Sequence, residues 1–396
     1  MDFKSLLLIA ILGCYFCAVT HVSGDCYFSF PKNDSNRPVL YKKIGSRKTL
    51  IHTDGLSRYD INDGEVITID CETRILSPIE GEGLRSFDLN CTDSRMPVFG
   101  YPVSNIKVWC DSVKWNLYES SEHFDWCPPP MSSYLLARPL DNVYEYLAGV
   151  CYNFEQQQIQ SLYNAAGYQF SKYKHPSRLE NYSPLVEIKD IPKKFIPRRI
   201  DASQFSSEET REFMQFAKYE NHAVIQDPQL YKDYFDRFGG LLEMDWWPSL
   251  RLGNWYFYEK ALRQHIEDDK AIYDILAGVS GAVTVPSQNK IHPKNYTMID
   301  MFYGYNQRVP LYVWHYLKSP RENGKDLVVI GVNSAFIDFY NDENDLIFCT
   351  DICHQIDWLK MVRSTFRYKT MGLIFCCDVN EVRRSSHLEG FPLASE

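Results

Sequence analysis

The sequence predicts an α+β protein built from two domains. Its 396 residues are 45% hydrophobic and 23% charged, which exceeds what one compact core usually holds and is too apolar for a disordered chain. Short alternating runs and clustered cysteines mark the first third, whereas helical and strand patterns interleave in the remainder. We therefore expect a signal peptide at residues 1–24, a small cysteine-rich β domain at 25–130 and a larger mixed domain at 131–396.

The first segment has the pattern of a secretory signal. Lys4 precedes an apolar run at residues 6–19, and the small residues Ser23 and Gly24 precede Asp25. The run is short for a membrane anchor, and no later stretch approaches the roughly 20 apolar residues that a span needs. We therefore expect a secreted protein without a membrane partner.

The mature chain retains ten of the 12 cysteines, an even number that favours disulfides in an exported protein. The sequence leaves their pairing open. Glycosylation sequons agree with export and stand at Asn33, Asn90, Asn181 and Asn295. The cysteines at 349, 353, 376 and 377 also permit a zinc site, but export favours structural disulfides there as well.

The β domain is predicted from runs at residues 65–70, 105–109 and 113–115, which alternate apolar with polar side chains. Three consecutive prolines at positions 128–130 then form a stiff extended break, where we place the domain boundary.

The second domain is predicted to fold around one mixed or antiparallel sheet. Helical patterns occur at residues 142–162, 227–238, 254–270 and 356–366. The third of these carries Trp255, Tyr258, Leu262 and Ile266 along one face. Strand patterns occur at residues 279–285, 309–317, 326–332, 346–350 and 371–379.

The charge pattern limits the class of ligand. The net charge of -9 argues against a general polyanion-binding surface, so any nucleic-acid site must be a local basic patch. Residues 189–199 carry five positive charges and one negative. Phosphates can bind there to Lys193, Lys194, Arg198 and Arg199, with Phe195 available for stacking. The alternative is a solvated surface loop.

General enzyme motifs are missing from the sequence: there is no phosphate loop, dinucleotide fingerprint, nucleophile elbow or His-Glu-x-x-His pair. A more specific pattern lies between Tyr219 and Arg263, in His222, the run 241–247, the run 250–255 and Glu259. This order resembles the DNA/RNA non-specific endonuclease family, whose ββα-metal core has a histidine at a strand end and a metal-binding asparagine at the start of the next helix.

The resemblance covers roughly residues 140–390 and includes the runs 309–312, 328–333, 348–351 and 356–358. Within the family it is to the insect secreted branch, and it is best to the salivary Tsal group of tsetse flies in size, secretion signal and altered active site. It therefore implies a ββα-metal nuclease-like domain, a partner of DNA or RNA with little sequence specificity, Mg²⁺ as the family cofactor, and saliva as the place of secretion.

Transferred residue by residue, the family Asp-Arg-Gly-His motif falls on Tyr219-Glu220-Asn221-His222, so the histidine alone is retained. The metal-binding asparagine falls on Arg251, 29 residues after His222, and the acidic helix residue is Glu259. This spacing is close to that of the family. A second register, using residues 237–240, loses the histidine.

The resemblance implies His222 as candidate general base, with Glu259 as the second catalytic candidate. A guanidinium at position 251 removes an oxygen ligand and places positive charge at the metal position, so Mg²⁺ is expected to be lost or weakly bound. Arg251 can still bind phosphate, or it can pair with Glu259 or Glu243. Asn254 and Glu259 are the candidates for a displaced metal site, with further carboxylates from Glu243 or Asp245.

Three functions remain open from the sequence. The first is a secreted nucleic-acid-binding protein on a degenerate nuclease scaffold, with weak or residual phosphodiesterase activity at most. The second is an active metal-dependent endonuclease with rearranged ligands. The third is a host-interaction protein that no longer binds nucleic acid.

Overall fold

The structure is a computed structural model. It describes residues 26–30, 37–44, 47–51, 56–71, 75–76, 84, 86–93, 95–98, 101–103, 105–110, 115–140, 143–167, 185–195, 208–225, 238–269, 271–288, 296–300, 302–303, 307–321, 324–340 and 345–392. The predicted signal peptide, almost all of the predicted helix 227–238, Arg198, Arg199 and the sequons at Asn33, Asn181 and Asn295 lie outside the described residues. The chain divides into two compact units, residues 1–113 and 114–396.

The first unit consists of strands throughout its described part. They are β1 Cys26–Ser29, β2 Val39–Ile44, β3 Arg47–Ile51, β4 Arg58–Ile61, β5 Val66–Asp70, β6 Ile75–Leu76, β7 Ser86–Asn90, β8 Met96–Val98, β9 Tyr101–Val103, β10 Asn105–Lys107 and β11 Trp109–Cys110. A four-stranded sheet has the order β3-β2-β5-β7, and a three-stranded sheet has the order β10-β1-β4. Disulfides join Cys26 to Cys91 and Cys71 to Cys110, inside a core formed by Phe28, Ile67 and their neighbours.

The second unit begins before the prolines that the sequence suggests as a boundary. Strand β12 (Asn116–Ser120) pairs with β13 (Ser132–Leu140), so the segment between them is a connection within one sheet. Pro128–Pro130 form part of that turn, and the disulfide Cys127–Cys151 joins its end to strand β14 (Val143–Asn153).

The remaining strands of the second unit are β15 Gln158–Gly167, β16 Leu185–Ile188, β17 Glu220–Ala223, β18 Glu243–Trp246, β19 Ile272–Ser280, β20 Thr284–Gln288, β21 Tyr296–Asp300, β22 Phe302–Tyr303, β23 Gln307–Arg308, β24 Tyr312–Lys318, β25 Leu327–Val332 and β26 Ile374–Asp378. Nine strands form one antiparallel sheet in the order β16-β12-β13-β14-β15-β19-β24-β25-β26. The protein is therefore mixed α+β, with far more sheet than helix.

The described α-helices are α1 Ile191–Lys194, α2 Glu208–Ala217, α3 Pro248–Leu252, α4 Asn254–Asp269 and α5 Val379–Arg384. Single 3-10 turns lie at Ile337–Phe339, Cys353–Gln355, Asp357–Leu359, Arg363–Thr365 and Lys369–Met371. None of the helices in the described ranges is long and apolar enough to cross a membrane.

The element predictions have mixed outcomes. Helix α4 confirms the pattern at 254–270, and β24, β25 and β26 confirm the strands at 309–317, 326–332 and 371–379. The run at 279–285 covers the end of β19 and the start of β20. The helix predicted at 142–162 is wrong, because these residues form the hairpin β14–β15. The strand at 346–350 and the helix at 356–366 are also wrong, since turns occupy both segments.

Helix α4 covers one face of the large sheet. Trp255, Tyr258, Leu262 and Ile266 are fully buried, as the apolar spacing predicts. The Trp255 ring meets His315 on β24 at 4.9 Å, and a Cβ at Gly331 would lie 2.8 Å from Trp255 Cε3. The neighbouring Trp314 packs into an aromatic core on the opposite face. Strand β24 is therefore covered on both sides.

Two disulfides fasten the chain beside the last strand of this sheet. Cys349 pairs with Cys377 and Cys353 with Cys376, so a structural role for these cysteines, predicted in preference to zinc, is confirmed. Ile352 N donates to Cys376 O at 2.9 Å, and Asp351 Oδ1 accepts from Cys376 N at 3.0 Å.

Candidate functional site

The site is built on a two-stranded hairpin followed by helices. Strands β17 and β18 pair antiparallel, with His222 opposite Met244 and Asn221 opposite Asp245. Trp246 Nε1 donates to Ala223 O at 2.9 Å and fixes this pairing from the side. Helices α3 and α4 follow directly, so the hairpin and the helix starts are neighbours in sequence and in space.

Asn333, at the end of β25, anchors the hairpin to the large sheet. Its buried Nδ2 donates to Asp245 O at 2.8 Å and to Pro310 O at 2.9 Å, and its Oδ1 accepts from Trp247 N at 2.6 Å. Tyr219 Oη donates to Asn333 O at 3.1 Å from the other strand. These four bonds fix the position of the hairpin end, and they also fix the position of the backbone next to Glu220.

Asn254, the first residue of α4, ties the helix to a distant loop. Its Nδ2 donates to Thr365 O at 2.7 Å and to Gly372 O at 2.6 Å, while its Oδ1 accepts from Thr365 Oγ1 at 2.7 Å. The side chain is fully buried. The amide of Asn254, proposed from sequence as a displaced metal ligand, is therefore engaged in structural hydrogen bonds to Thr365 and Gly372.

The structure brings Glu220, His222 and Arg251 together. Glu220 Oε2 lies 2.7 Å from Arg251 Nη2 and 3.2 Å from His222 Nε2. Glu220 and His222 are two residues apart on one strand, so their side chains share a face. Desolvation alone raises the pKa of Glu220, but the hydrogen bonds from Arg251 and His222 outweigh it and hold the pKa below its usual value.

This contact differs from the ion pair that the sequence suggested for Arg251. The guanidinium pairs with Glu220, and not with Glu259 or Glu243. Its side chain is 14% exposed, against 49% for Glu220. Arg251 Nε is buried and has no hydrogen-bond partner among the described residues. The guanidinium thus has donors that its one carboxylate contact does not use, although the unpaired Nε is itself buried.

Glu259 lies in the protein interior and contacts residues other than this cluster of three. It is 1% exposed, and its Oε1 accepts from Trp255 Nε1 at 3.1 Å and lies 3.8 Å from His315 Nε2. The nearby Tyr258 hydroxyl is 3.0 Å from His315 Nδ1. Burial lowers the pKa of His315 to about 3. Glu259 as a catalytic or metal-binding residue is therefore corrected to a buried hydrogen-bond acceptor.

The described residues at the hairpin do not fit a Mg²⁺ ion. Magnesium requires near-octahedral oxygen ligands, usually with one or two carboxylates. Of the acidic side chains proposed from sequence, Glu259 and Asp245 are buried and Glu243 is partly exposed. Glu220, which the sequence analysis did not propose as a ligand, already contacts a guanidinium and an imidazole. A cation beside Glu220 would meet the positive charge of Arg251.

A second group, Asp351 with Cys353 and Cys376, has the ligand spacing of a metal site. Its two sulfurs are bonded to each other in a disulfide. Asp351 Oδ1 accepts from the backbone N–H groups of both cysteines, and its Oδ2 pairs with Arg367 at 2.7 Å. These bonds explain the cluster without an ion.

Part of the basic stretch at 189–199 packs against the rest of the protein. Lys193 is exposed, whereas Lys194 pairs with Glu119 at 2.8 Å and lies 5.0 Å from the centre of the Tyr134 ring. Phe195 is fully buried between Tyr134, Tyr152 and Phe154, so its predicted availability for stacking is wrong.

The sequence analysis did not identify a second basic segment. Residues 360–369 contain four basic side chains and no acidic one. They are Lys360, Arg363, Arg367 and Lys369. The turn Lys369–Met371 contacts helix α3, which carries Arg251. The sequence shows the same net charge of +4 in this segment as at 189–199, but the sequence analysis assigned residues 356–366 to a helix and did not consider their charge.

The chain matches no protein-family model and no curated protein. Among solved structures it is similar to a chain from the crystal structure of the EndoG/EndoGI complex, a structure described in terms of the mechanism of EndoG inhibition. The two chains are 11% identical with a TM-score of 0.29, over 50% of this chain and 74% of the other. A likeness of this size does not assign the protein to a family.

Proposed function

We propose that this chain is a secreted nucleic-acid-binding protein on a degenerate non-specific endonuclease scaffold, which holds phosphate through Arg251 without a metal. The observation that carries the proposal is the cluster of three, in which Glu220 contacts both the Arg251 guanidinium and His222. The resemblance implies that Arg251 takes the position where the family has its cation. Five disulfides are compatible with secretion. Secretion into saliva and kinship with the insect branch are part of the proposal.

Arg251 is suited to phosphate because its planar fork offers parallel donors to two oxygens. One donor atom, Nη2, is shared with Glu220, and the buried Nε has no partner among the described residues. A phosphate that approaches this guanidinium must displace Glu220 or bind beside it. Glu220 therefore competes with the ligand, and binding through Arg251 is expected to be modest and sensitive to salt.

Hydrolysis is expected to be weak at most. His222 is accessible to solvent and can accept a proton from water, but a phosphodiester transition state also needs its developing charge neutralised. Without a bound cation that task falls to Arg251, whose charge is already partly compensated by Glu220. We propose that Lys193, Lys194, Arg198 and Arg199 contribute further phosphate contacts, to DNA or RNA with little sequence specificity.

The test is a gel-retardation and cleavage assay with plasmid DNA, in the presence of either Mg²⁺ or EDTA. Retardation in both buffers without cleavage supports the proposal, whereas EDTA-sensitive degradation supports an active metal-dependent endonuclease. Arg251→Gln should weaken retardation severalfold. Lys325→Gln, which removes the same charge from the exposed loop 324–326, is the matched control and should retain wild-type affinity. Equal effects of the two variants would count against a specific role for Arg251.

The second candidate is a host-interaction protein without nucleic-acid binding. It is favoured by one observation: Arg251 and Lys194, two of the three described cations in the first proposal, already have carboxylate partners. Failure to retard plasmid, synthetic RNA or single-stranded DNA at low salt would support this second candidate and exclude the first.

A further inference from the structure

One of the four glycosylation sequons, Asn90-Cys91-Thr92, lies within the described residues. Asn90 is the last residue of β7, and its side chain is exposed, as is that of Thr92. Cys91 between them is 1% exposed and is bonded to Cys26. Successive residues of an extended chain point to opposite sides, so the cysteine enters the core and the two residues that the motif requires both face outward.

The register of β7 accounts for this orientation. Leu89 lies opposite Ile67 on β5, and both residues belong to the buried core of the first unit. Asp88 and Asn90 therefore lie on the other face of the sheet, where both are exposed. This face is polar beside Asn90, because Asp88 Oδ1 accepts from Thr68 Oγ1 at 2.6 Å. A hydrated sugar attached to Asn90 would stand over this outer face and would not enter the core.

We propose that Asn90 carries an N-linked glycan in the exported protein, an inference that rests on the secretion included in the proposed function and not on the Arg251 site. In the transfer, the Asn90 amide nitrogen forms a bond to the anomeric carbon of an oligosaccharide that is held on a lipid diphosphate. The bond from that carbon to the diphosphate oxygen breaks, and the lipid diphosphate leaves with the electron pair. The amide nitrogen loses one proton, and no atom changes its oxidation state.

The backbone around the sequon indicates when this transfer occurs. Cys91 N donates to Glu65 O at 3.3 Å, and Cys91 O accepts from Gly64 N at 2.7 Å. A transferase has to separate the acceptor segment from its neighbours in order to enclose the asparagine and the threonine together. These backbone bonds and the disulfide to Cys26 oppose that separation. The glycan is therefore added before β7 pairs with β5 and before this disulfide closes.

The site is tested by peptide mapping of the full chain exported from cultured animal cells. Peptide N-glycosidase converts a glycan-bearing asparagine to aspartate, so the peptide that contains residue 90 should show aspartate there only after this treatment. Asn90→Gln and Thr92→Ala should each remove one glycan from the intact protein, whereas Thr92→Ser should retain it because the hydroxyl is kept. Asn380→Gln changes an exposed asparagine outside any sequon and is the matched control, with no glycan lost.

The order of events is tested on purified unglycosylated protein, either with its disulfides closed or after reduction. Both forms are incubated with microsomal transferase and a lipid-linked oligosaccharide. The reduced chain should be modified at Asn90 and the closed chain should not, and equal modification of both forms would refute the order. An exported chain whose Asn90 is unmodified overturns the site and leaves nucleic-acid binding untouched. A chain that is never exported contradicts the secretion in the proposed function, and the glycan with it.

Discussion

Glu220→Gln should increase affinity for nucleic acid, because it removes the carboxylate that competes for Arg251. Carboxylate and bound phosphate would both contact one guanidinium and so lie about 5 Å apart, where two unit charges in water repel by about 1 kcal/mol. In the wild type, phosphate binding must also break the ion pair between Glu220 and Arg251, which costs about 0.5 kcal/mol. The variant Glu220→Gln does not have this cost. Together these effects predict roughly tenfold tighter binding.

The assay is fluorescence anisotropy with a labelled duplex at about 50 mM salt, where surface charges are less screened. Glu243→Gln is the control, since it removes the same charge from the paired strand β18 but does not contact Arg251. A gain with Glu220→Gln alone supports direct competition. Equal gains with both variants would mean that net charge is responsible, and an unchanged affinity would refute phosphate binding at Arg251.

Three further outcomes are expected. Arg251→Asn should bind no magnesium by calorimetry, because Glu259 and Asn254 are buried and cannot complete a site; a saturable magnesium signal would contradict this placement. Lys194→Met should lower the free energy of unfolding by about 1 kcal/mol because its ion pair and ring contacts are removed, whereas Lys193→Met should leave thermal unfolding unchanged. His315 has a folded-state pKa near 3 against 6.5 when unfolded, so its contribution to stability is complete above pH 6.5 and decreases as the pH falls, by about 2 kcal/mol at pH 5. Urea unfolding measured above pH 6.5 and at pH 5 should show this decrease in wild type and a smaller decrease in His315→Gln.

Helix α4, with one buried face, was predictable from sequence, as were the short strands β24 and β25, which are buried on both faces; the longer strand β14 was not. Helix α4 alternates buried Trp255 and Tyr258 with exposed Tyr256 and Lys260, which gives a helical period. Strand β14 is buried on both sides along residues 146–152, so no alternation marks it as a strand and its length suggests a helix. The turns at 356–366 are supported by Arg363, whose side chain donates to three carbonyls seven to ten residues earlier in the chain, and hydrophobic periodicity does not predict such bonds.

The candidate site was predictable in position but not in contacts. The family resemblance, in the register that the 29-residue interval favoured, assigned His222 and Arg251 to one site, and in the structure both contact Glu220. Glu220 was overlooked because it lies two residues from His222, and a shared strand face is known only once the strand is established. Glu259 was misplaced because a carboxylate in a helix is normally exposed, whereas here Trp255 provides it with a buried donor.

The adjacent pair Cys376–Cys377 has a consequence for association between copies of the chain. Neighbouring residues on a strand point to opposite faces, so the two disulfides attach segment 349–353 to both sides of β26, the last strand of its sheet. Ile352 and Asp351 then occupy the outward backbone groups of Cys376, which an edge strand would otherwise offer to a second molecule. Formation of these disulfides therefore covers an edge strand that could otherwise pair with a second molecule. A chain that failed to form both bonds would be prone to aggregation through strand pairing.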